Sequence, residues 1–192
     1  AEMTGRSLVS VLTSEKSGRV DRARDCVLVG KERHCPAQER PDMGGYPCRA
    51  IRTHEFLYIR NFRPDRWPAG TPNYQQATFK NAWFGDCDNS PTKTYMVDNR
   101  DNDAAHRRLY DLAFGKRPAE ELYDLNKDPE QLENVAADPA YAAIRKQLAE
   151  RLMDRLEATG DPRAVGGGEK FDQYPYLGGA PAYPGAKTNQ GS

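Results

Sequence analysis

A periodic apolar stripe near the C-terminal end constrains the fold of this chain more than any other feature. Asp138 is a suitable N-cap, Pro139 suits the first helical turn, and Gly160 suits the C-terminal end. Between them, apolar side chains recur every three or four residues, at Tyr141, Ile144, Leu148, Leu152 and Leu156. Such a helix is stable only when its apolar face packs against another element. We therefore predict a helix of about twenty residues that covers a sheet.

Three segments have the composition of β-strands. Residues 26–34, CVLVGKERH, begin with an apolar run and end in charges, which predicts a buried strand that emerges at a loop. Residues 46–62, YPCRAIRTHEFLYIRNF, predict an antiparallel hairpin with its turn at residues 53–55. Leu122, Tyr123 and Leu125 predict a further short strand, and Pro129 follows in a turn because it has no backbone donor for continued pairing.

These elements predict an α+β fold, a small antiparallel sheet of about four strands covered on one face by the long C-terminal helix. Residues 101–114 predict another helix, which ends at Gly115, whereas residues 63–76 and 77–100 are interpreted as loops. The 14 Pro and 16 Gly residues agree with a small core and long connections. We place the domain at residues 1–162 and an irregular Gly/Pro/Tyr-rich tail at residues 163–192.

The charge balance excludes two classes of partner. The 28 basic and 28 acidic residues give a formal net charge of zero, so general attraction to nucleic acid or to an anionic membrane has no support. No apolar run approaches the roughly 20 residues that a membrane helix needs. We expect any anion site to be local.

The cysteines leave their chemistry open. Cys26, Cys35, Cys48 and Cys87 form no CxxC pair, and all three disulfide pairings of the four remain possible. A zinc site of Cys26, His34 and Cys35 fits no standard ligand spacing, so ordinary buried or paired cysteines are the favoured interpretation.

Several segments together resemble one family. GRSLVSVL at 5–12, YPCRAIRTHEFLYIRNF at 46–62, RNFRPDRWPAGTPNY after it and ELYDLNKDPEQLENVAADP at 121–139 occur in the order typical of the C-terminal part of sulfatases related to N-sulfoglucosamine sulfohydrolase. The resemblance covers most of residues 5–162. It implies an alkaline-phosphatase-like enzyme, in which a large α/β catalytic domain precedes a small C-terminal domain, and a periplasmic or secreted location.

The resemblance also implies cofactors that this chain does not supply. Family members use a formylglycine, made from Cys or Ser in a C/S-x-P-x-R motif, and a calcium ion held by Asp and Asn. Cys35-Pro36 and Ser90-Pro91 have the wrong spacing, and the Asp-Asn pairs at 88–89, 98–99 and 101–102 are interpreted as turn and loop residues. We expect no catalytic residue and no metal ligand here, and we expect formylglycine and calcium in a missing N-terminal domain.

Two places are candidates for substrate binding, because loops of the C-terminal domain lean over the cleft in such relatives. After the first strand, Arg33 could pair with a sulfate or carboxylate, His34 could hydrogen-bond a hydroxyl, and Glu32 could accept from an amine or hydroxyl. The alternative is a solvated strand end. Further along, Thr92 and Lys93 form a second candidate with Trp83 nearby, in which Lys93 could meet an anion and Trp83 could stack on a sugar. The alternative is a core Trp and a surface Lys.

Three hypotheses for function follow. The chain is predicted to be the C-terminal domain of a sulfatase for sulfated sugars, with the catalytic N-terminal domain and a sulfated saccharide as its partners. The alternatives are a non-catalytic module that binds a glycan or a protein, or part of a related phosphatase or phosphodiesterase. Motifs encoded before Ala1 would distinguish among them.

Overall fold

The computed structural model describes residues 5–186. The elements in chain order are α1 (Val9–Leu12), β1 (Val27–Lys31), β2 (Cys48–Arg52), β3 (Phe56–Asn61), α2 (Pro91–Asp98), α3 (Ala104–Phe114), β4 (Glu120–Asp124), a 3-10 turn (Pro139–Tyr141), α4 (Ala142–Ala158), α5 (Pro162–Val165) and α6 (Lys170–Gln173). No helix within these residues is long and apolar enough to cross a membrane. The last six residues of the predicted tail lie outside the described part.

The sheet has four antiparallel strands in the order β1-β2-β3-β4. The predicted hairpin is β2 and β3, with Ala50 opposite Ile59, and its turn is closed by the bond from Thr53 N to Phe56 O. Strand β3 pairs with β2 on one side and with β4 on the other. The α+β class and the number of strands predicted from the sequence are confirmed.

Helix α4 covers one face of the sheet. Its buried residues Leu148, Leu152 and Leu156 pack in one cluster with Ile51, Tyr58 and Leu122 of three different strands. The predicted apolar stripe therefore forms the main core. Asp138 accepts from Ala140 N at 2.8 Å and caps the 3-10 turn that leads into α4, as its place before Pro139 predicts.

A second core lies between α2, α3 and the segment that precedes them. It consists of Trp83, Phe84, Val97, Tyr110 and Phe114. The interpretation of residues 77–100 as loop is wrong at residues 91–98, which form α2. Ser90 caps this helix by accepting from Lys93 N, and Pro91 occupies its first turn. The helix is only 8 residues long and has no apolar stripe, so periodicity did not reveal it.

The prediction that the first strand is buried is also wrong. Val27 and Val29 are 57% and 58% exposed because β1 is an edge strand whose outer side is unpaired within residues 5–186. The opposite edge is covered, since Val135 N donates to Leu122 O at 2.9 Å. A continuous apolar run was expected from a strand covered on both faces. Here it marks an apolar edge.

The segment after residue 162 is more ordered than its composition predicts. It forms α5 and α6 and then runs back along the second core, where Trp83 N donates to Pro181 O at 3.0 Å and Tyr183 stacks on Tyr74 with ring centroids 4.2 Å apart. Its glycine and proline residues allow an irregular path, and aromatic contacts hold that path in place.

Candidate functional site

The chain leaves β1 through Lys31, Glu32, Arg33 and His34, and their side chains separate into two groups. Glu32 and Arg33 are held by contacts within the molecule. Lys31 and His34 meet at the carboxylate of Asp86. The exit of the first strand thus combines an internal ion-pair network with an exposed polar cluster.

Glu32 belongs to a largely buried ion-pair network. Its Oε1 accepts from Arg49 Nη2 at 2.7 Å, and its Oε2 accepts from Arg163 Nη2 at 2.9 Å. Arg49 also donates to Asp161 through Nε at 2.7 Å and through Nη2 at 3.2 Å. The network joins the segment directly after β1 to strand β2 and to the start of α5. A substrate group would have to compete with two guanidinium groups for the carboxylate of Glu32.

Arg33 fastens the C-terminal segment to the end of β1. Its Nη1 donates to the backbone oxygens of Met43 at 3.2 Å and Asp172 at 3.1 Å, and its Nη2 donates to the oxygen of Tyr174. Each of these three acceptors is an uncharged backbone carbonyl, so these contacts do not offset the positive charge of the guanidinium. It contributes an electrostatic field at this end of the sheet while its donors hold the tail.

His34 is the predicted site residue that faces solvent. Its side chain is 77% exposed, and its Nδ1 lies 2.7 Å from Oδ1 of Asp86, whose own side chain is only 6% exposed. The second oxygen of Asp86 accepts from Lys31 Nζ. When Nδ1–H donates to Asp86, neutral His34 presents Nε2 to solvent as an acceptor, and protonated His34 presents it as a donor. Lys31, His34 and Asp86 are called the strand-exit cluster below.

The backbone around the strand-exit cluster is closely packed. Gly70 has a φ of +92°, and a Cβ there would lie 2.7 Å from both Ala37 Cβ and Gly85 N. Thr71 N donates to Ala37 O at 2.7 Å, and Phe84 N donates to Thr71 O at 3.0 Å. Residue 70 therefore must be glycine for the segment after His34 to approach the segment that carries Asp86. This approach brings two distant parts of the chain together.

Cys35 lies beneath the strand-exit cluster. It is 2% exposed, and its Sγ donates to Gly85 O at 2.8 Å and lies 3.9 Å from Asp86 Oδ1. Burial and the nearby charge of Asp86 raise the pKa of the Cys35 thiol to about 12. The thiol is therefore protonated at neutral pH.

Cys35 is expected to be the slowest of the four cysteines to react with iodoacetamide at pH 8. A pKa of about 12 leaves roughly one thiol in ten thousand ionised at that pH, and burial blocks the reagent as well. Half-buried Cys87 serves as the comparison in the same region. Peptide mass spectrometry after timed labelling measures the rates, and labelling in denaturant shows that all four can react. Equal rates at Cys35 and Cys87 in the folded protein would contradict this expectation.

Lys93 and Trp83, the second predicted site, are buried. Lys93 is 2% exposed, and its Nζ donates to the backbone oxygens of Trp83 and Cys87, both at 2.7 Å, and to Asn89 Oδ1 at 3.0 Å. The ammonium also lies 4.8 Å from the centre of the Trp83 ring. Burial lowers the pKa of Lys93. In this arrangement Lys93 holds the turn at residues 83–89 and directs no donor to solvent.

The four cysteines are all free in the part of the chain that the structure describes. The zinc trio considered from the sequence is not brought together. Cys26 lies at the opposite end of β1, where its Sγ accepts from Arg151 Nη2 at 3.2 Å. His34 and Cys35 have Asp86 as their neighbour instead.

Comparison with known proteins identifies relatives of the chain. No protein-family model matches it. An ulvan-active sulfatase of Formosa agariphila is 28% identical over 116 residues, which is 60% of this chain and 18% of the relative. A second ulvan-active sulfatase of that organism is 27% identical over 125 residues, 65% of this chain and 19% of the relative. Human N-sulphoglucosamine sulphohydrolase is 25% identical over 161 residues, 83% of this chain and 27% of the relative.

The chain is related to the sulfatases. This confirms the resemblance drawn from its motifs. The chain spans between 18% and 27% of the length of these sulfatase relatives. The comparison is consistent with a C-terminal domain of a sulfatase.

The Asp-Asn pairs that mimic a sulfatase metal motif have local structural contacts. Asn89 donates to Ala182 O at 2.8 Å and accepts from Lys93. Asn99 caps the end of α2 and donates to Tyr95 O at 2.8 Å, and Asp101 pairs with Arg107 at 3.2 Å. These contacts agree with the interpretation as turn and cap residues, except that Asp98 is the last residue of α2.

The sequence did not single out Asp86, although it organises the strand-exit cluster. Asp86 is 52 positions from His34 and 55 from Lys31 along the chain, so no spacing rule relates them. It lies between Gly85 and Cys87 in a segment read as loop. Only the close approach of the two backbone segments reveals its role.

Proposed function

We propose that this chain is the C-terminal domain of a sulfatase that acts on sulfated sugars. It forms part of the wall of the active-site cleft and helps to recognise the sugar, while the preceding polypeptide carries out the hydrolysis. The observation that carries this proposal is the similarity to three sulfatases of which the chain covers at most 27%. One of these relatives is named for N-sulphoglucosamine, and we extend the class of sulfated sugars to this protein.

The absence of sulfatase catalytic motifs from the sequence supports the division of labour. No C/S-x-P-x-R motif occurs in the 192 residues. Formylglycine and calcium would then be held by the preceding domain, where they would supply the nucleophile and the Lewis acid. The alkaline-phosphatase-like architecture of the whole enzyme, and its periplasmic or secreted location, belong to the same proposal.

The strand-exit cluster is the part of this chain best suited to meet a sulfated sugar. His34 offers Nε2 to solvent and Lys31 offers a positive charge beside it, while Asp86 holds both. Arg33 adds positive charge behind them, and Glu32 orders Arg49 and Arg163. Lys93 enters the proposal only as a support of the loop that carries Asp86.

We propose that the open edge of β1 is where the catalytic domain docks. Val27, Leu28 and Val29 are exposed along this edge, and Leu8, Val9 and Leu12 of the α1 region add a second exposed apolar surface. A groove of about 1010 Å³ lies between residues 5–8, the start of β1, the hairpin turn and the end of α4. Unpaired backbone groups beside apolar side chains are what a contacting sheet or loop requires. Most of the length of the relatives lies outside the part that this chain matches, and we propose that the corresponding polypeptide is the partner.

Reading the coding sequence before Ala1 tests the proposal. A sulfatase is expected to show C/S-x-P-x-R and an Asp-Asn pair there. A nucleophilic Thr or Ser outside that motif would favour a phosphatase or phosphodiesterase. A preceding sequence without either would favour the non-catalytic binding module and contradict the proposal.

Replacing His34 with alanine in the full-length gene product is expected to lower kcat/KM for a sulfated saccharide by about 10- to 100-fold. This is the effect of losing one charge-assisted hydrogen bond to the substrate, about 1.5–3 kcal/mol. Steady-state sulfate release measures it. His106→Ala is the matched control, because His106 lies on α3, outside the strand-exit cluster and outside the proposed docking groove, and this variant is expected to leave kcat/KM unchanged. Equal kcat/KM in both variants would exclude His34 from recognition.

A further inference from the structure

We propose that His34, Cys35 and Asp86 form a binding site for a thiophilic divalent cation such as Zn²⁺. Their ligand atoms all lie within 4.8 Å of one another. Asp86 Oδ1 lies between the other two, 2.7 Å from His34 Nδ1 and 3.9 Å from Cys35 Sγ. One nitrogen, one sulfur and one oxygen ligand, with a fourth position for water, make a recognised type of zinc site.

Movements of a few tenths of an ångström to just over one ångström separate the observed positions from a tetrahedral site. With bonds of about 2.0–2.3 Å to the metal, tetrahedral ligand atoms lie about 3.3–3.6 Å apart. His34 would move away from Asp86 by about half an ångström, and Cys35 would approach Asp86 by a few tenths of an ångström. The ligand atoms of His34 and Cys35, which lie within 4.8 Å of each other, would close by up to about 1.3 Å. His34 is exposed and can make this shift without repacking the core. The exposed side of His34 also leaves an entry path for the ion.

Hydrogen bonds from neighbouring groups hold these residues in place, as such bonds hold the ligands of known metal sites. Lys31 donates to Oδ2 of Asp86 and leaves Oδ1 directed toward His34 and Cys35. The Cys35 thiol is directed at the segment of residues 85–86 by its bond to Gly85 O at 2.8 Å. Cys35 is 2% exposed, and close packing limits the positions that its sulfur can adopt.

The ligand set predicts which ions bind. Metal binding would displace the thiol proton of Cys35 to solvent. The resulting thiolate, together with an imidazole, selects Zn²⁺, Co²⁺ or Cd²⁺ over Ca²⁺ and Mg²⁺, which prefer oxygen ligands. The site is therefore separate in chemistry from the calcium proposed for the catalytic domain. The inference goes beyond the sulfatase proposal and does not depend on it.

Titration of the reduced, metal-free 192-residue chain with Co²⁺ tests the site. One equivalent is expected to produce a sulfur-to-cobalt charge-transfer absorption, which Zn²⁺ displaces and Ca²⁺ does not. Cys35→Ser is expected to abolish the band. Cys87→Ser, which removes the thiol next to Asp86, is the matched control and is expected to retain it. No band in the wild-type chain, or a band that survives Cys35→Ser, would overturn the proposal.

A second variant keeps the test independent of how well Cys35→Ser folds. His34→Ala removes an exposed ligand and is expected to weaken Zn²⁺ binding at least about tenfold in competition with a chelating dye. His54→Ala is expected to leave that affinity unchanged. Unchanged affinity in His34→Ala would contradict the site. The metal titration contains no substrate, so it tests the metal site alone. The assay of sulfate release tests the proposed role of His34 in sugar recognition separately.

Discussion

Replacing Arg49 with methionine is expected to lower the free energy of unfolding of the chain by about 3–5 kcal/mol. Arg49 is buried, and it donates to Glu32, to Asp161 and to the backbone oxygen of Lys31 at 3.0 Å. Without it, Asp161 loses its side-chain cation while remaining only 16% exposed. An uncompensated carboxylate in that position is costly, because little water reaches it. Glu32 keeps Arg163 and is affected less.

Urea unfolding followed by circular dichroism measures the effect by linear extrapolation. Arg52→Met is the matched control, since Arg52 belongs to the same strand, is exposed and makes no ion pair within residues 5–186. Its change is expected to stay within about 0.5 kcal/mol. A loss below about 1 kcal/mol for Arg49→Met would show that the network contributes no more than an exposed ion pair.

Replacing Lys93 with methionine is expected to cost about 2–4 kcal/mol of the free energy of unfolding. The substitution keeps the length of the side chain and removes the donor that satisfies the buried oxygens of Trp83 and Cys87. Each unsatisfied acceptor costs roughly 1–3 kcal/mol, and the added apolar contact offsets part of it. The same unfolding measurement applies.

Lys80→Met is the control for Lys93, because Lys80 is exposed and its side chain makes no hydrogen bond in the described part of the chain. A stability change below about 0.5 kcal/mol is expected there. The pair also separates the two interpretations of Lys93. If Lys93 binds an anionic group of the sugar, Lys93→Met would weaken saccharide binding and leave the unfolding free energy unchanged. If Lys93 holds the loop, Lys93→Met lowers the free energy of unfolding.

The elements with strong local signals were predictable. The stripe from Ile144 to Leu156, the cap at Asp138 and the short connection at residues 53–55 depend on neighbours in sequence, and all appear in the structure. Helix α2 was missed because its signal is a capping pair, Ser90 and Pro91, without periodicity. The burial of β1 was misjudged because an apolar run does not show whether its partner lies within this chain.

The candidate site was predictable only in part. The position of His34 at the end of a strand was visible, and the structure shows its side chain exposed, while its role in binding stays a prediction. The environments of Glu32, Arg33 and Lys93 were not, because their partners lie in distant segments such as Arg163, Asp172 and Trp83. A charged residue in a sequence does not show whether its charge faces solvent or an internal partner.

By itself the sequence determined the α+β class, the hairpin and the long covering helix, since each rests on local periodicity or on runs of neighbouring residues. The similarity to sulfatases rests instead on the comparison of its motifs with relatives. Tertiary structure alone decided that β1 is an apolar edge and that Asp86 joins Lys31, His34 and Cys35. The physical reason is that ion pairs, hydrogen bonds and burial depend on distances in space. Segments more than fifty residues apart become neighbours only after the backbone has packed.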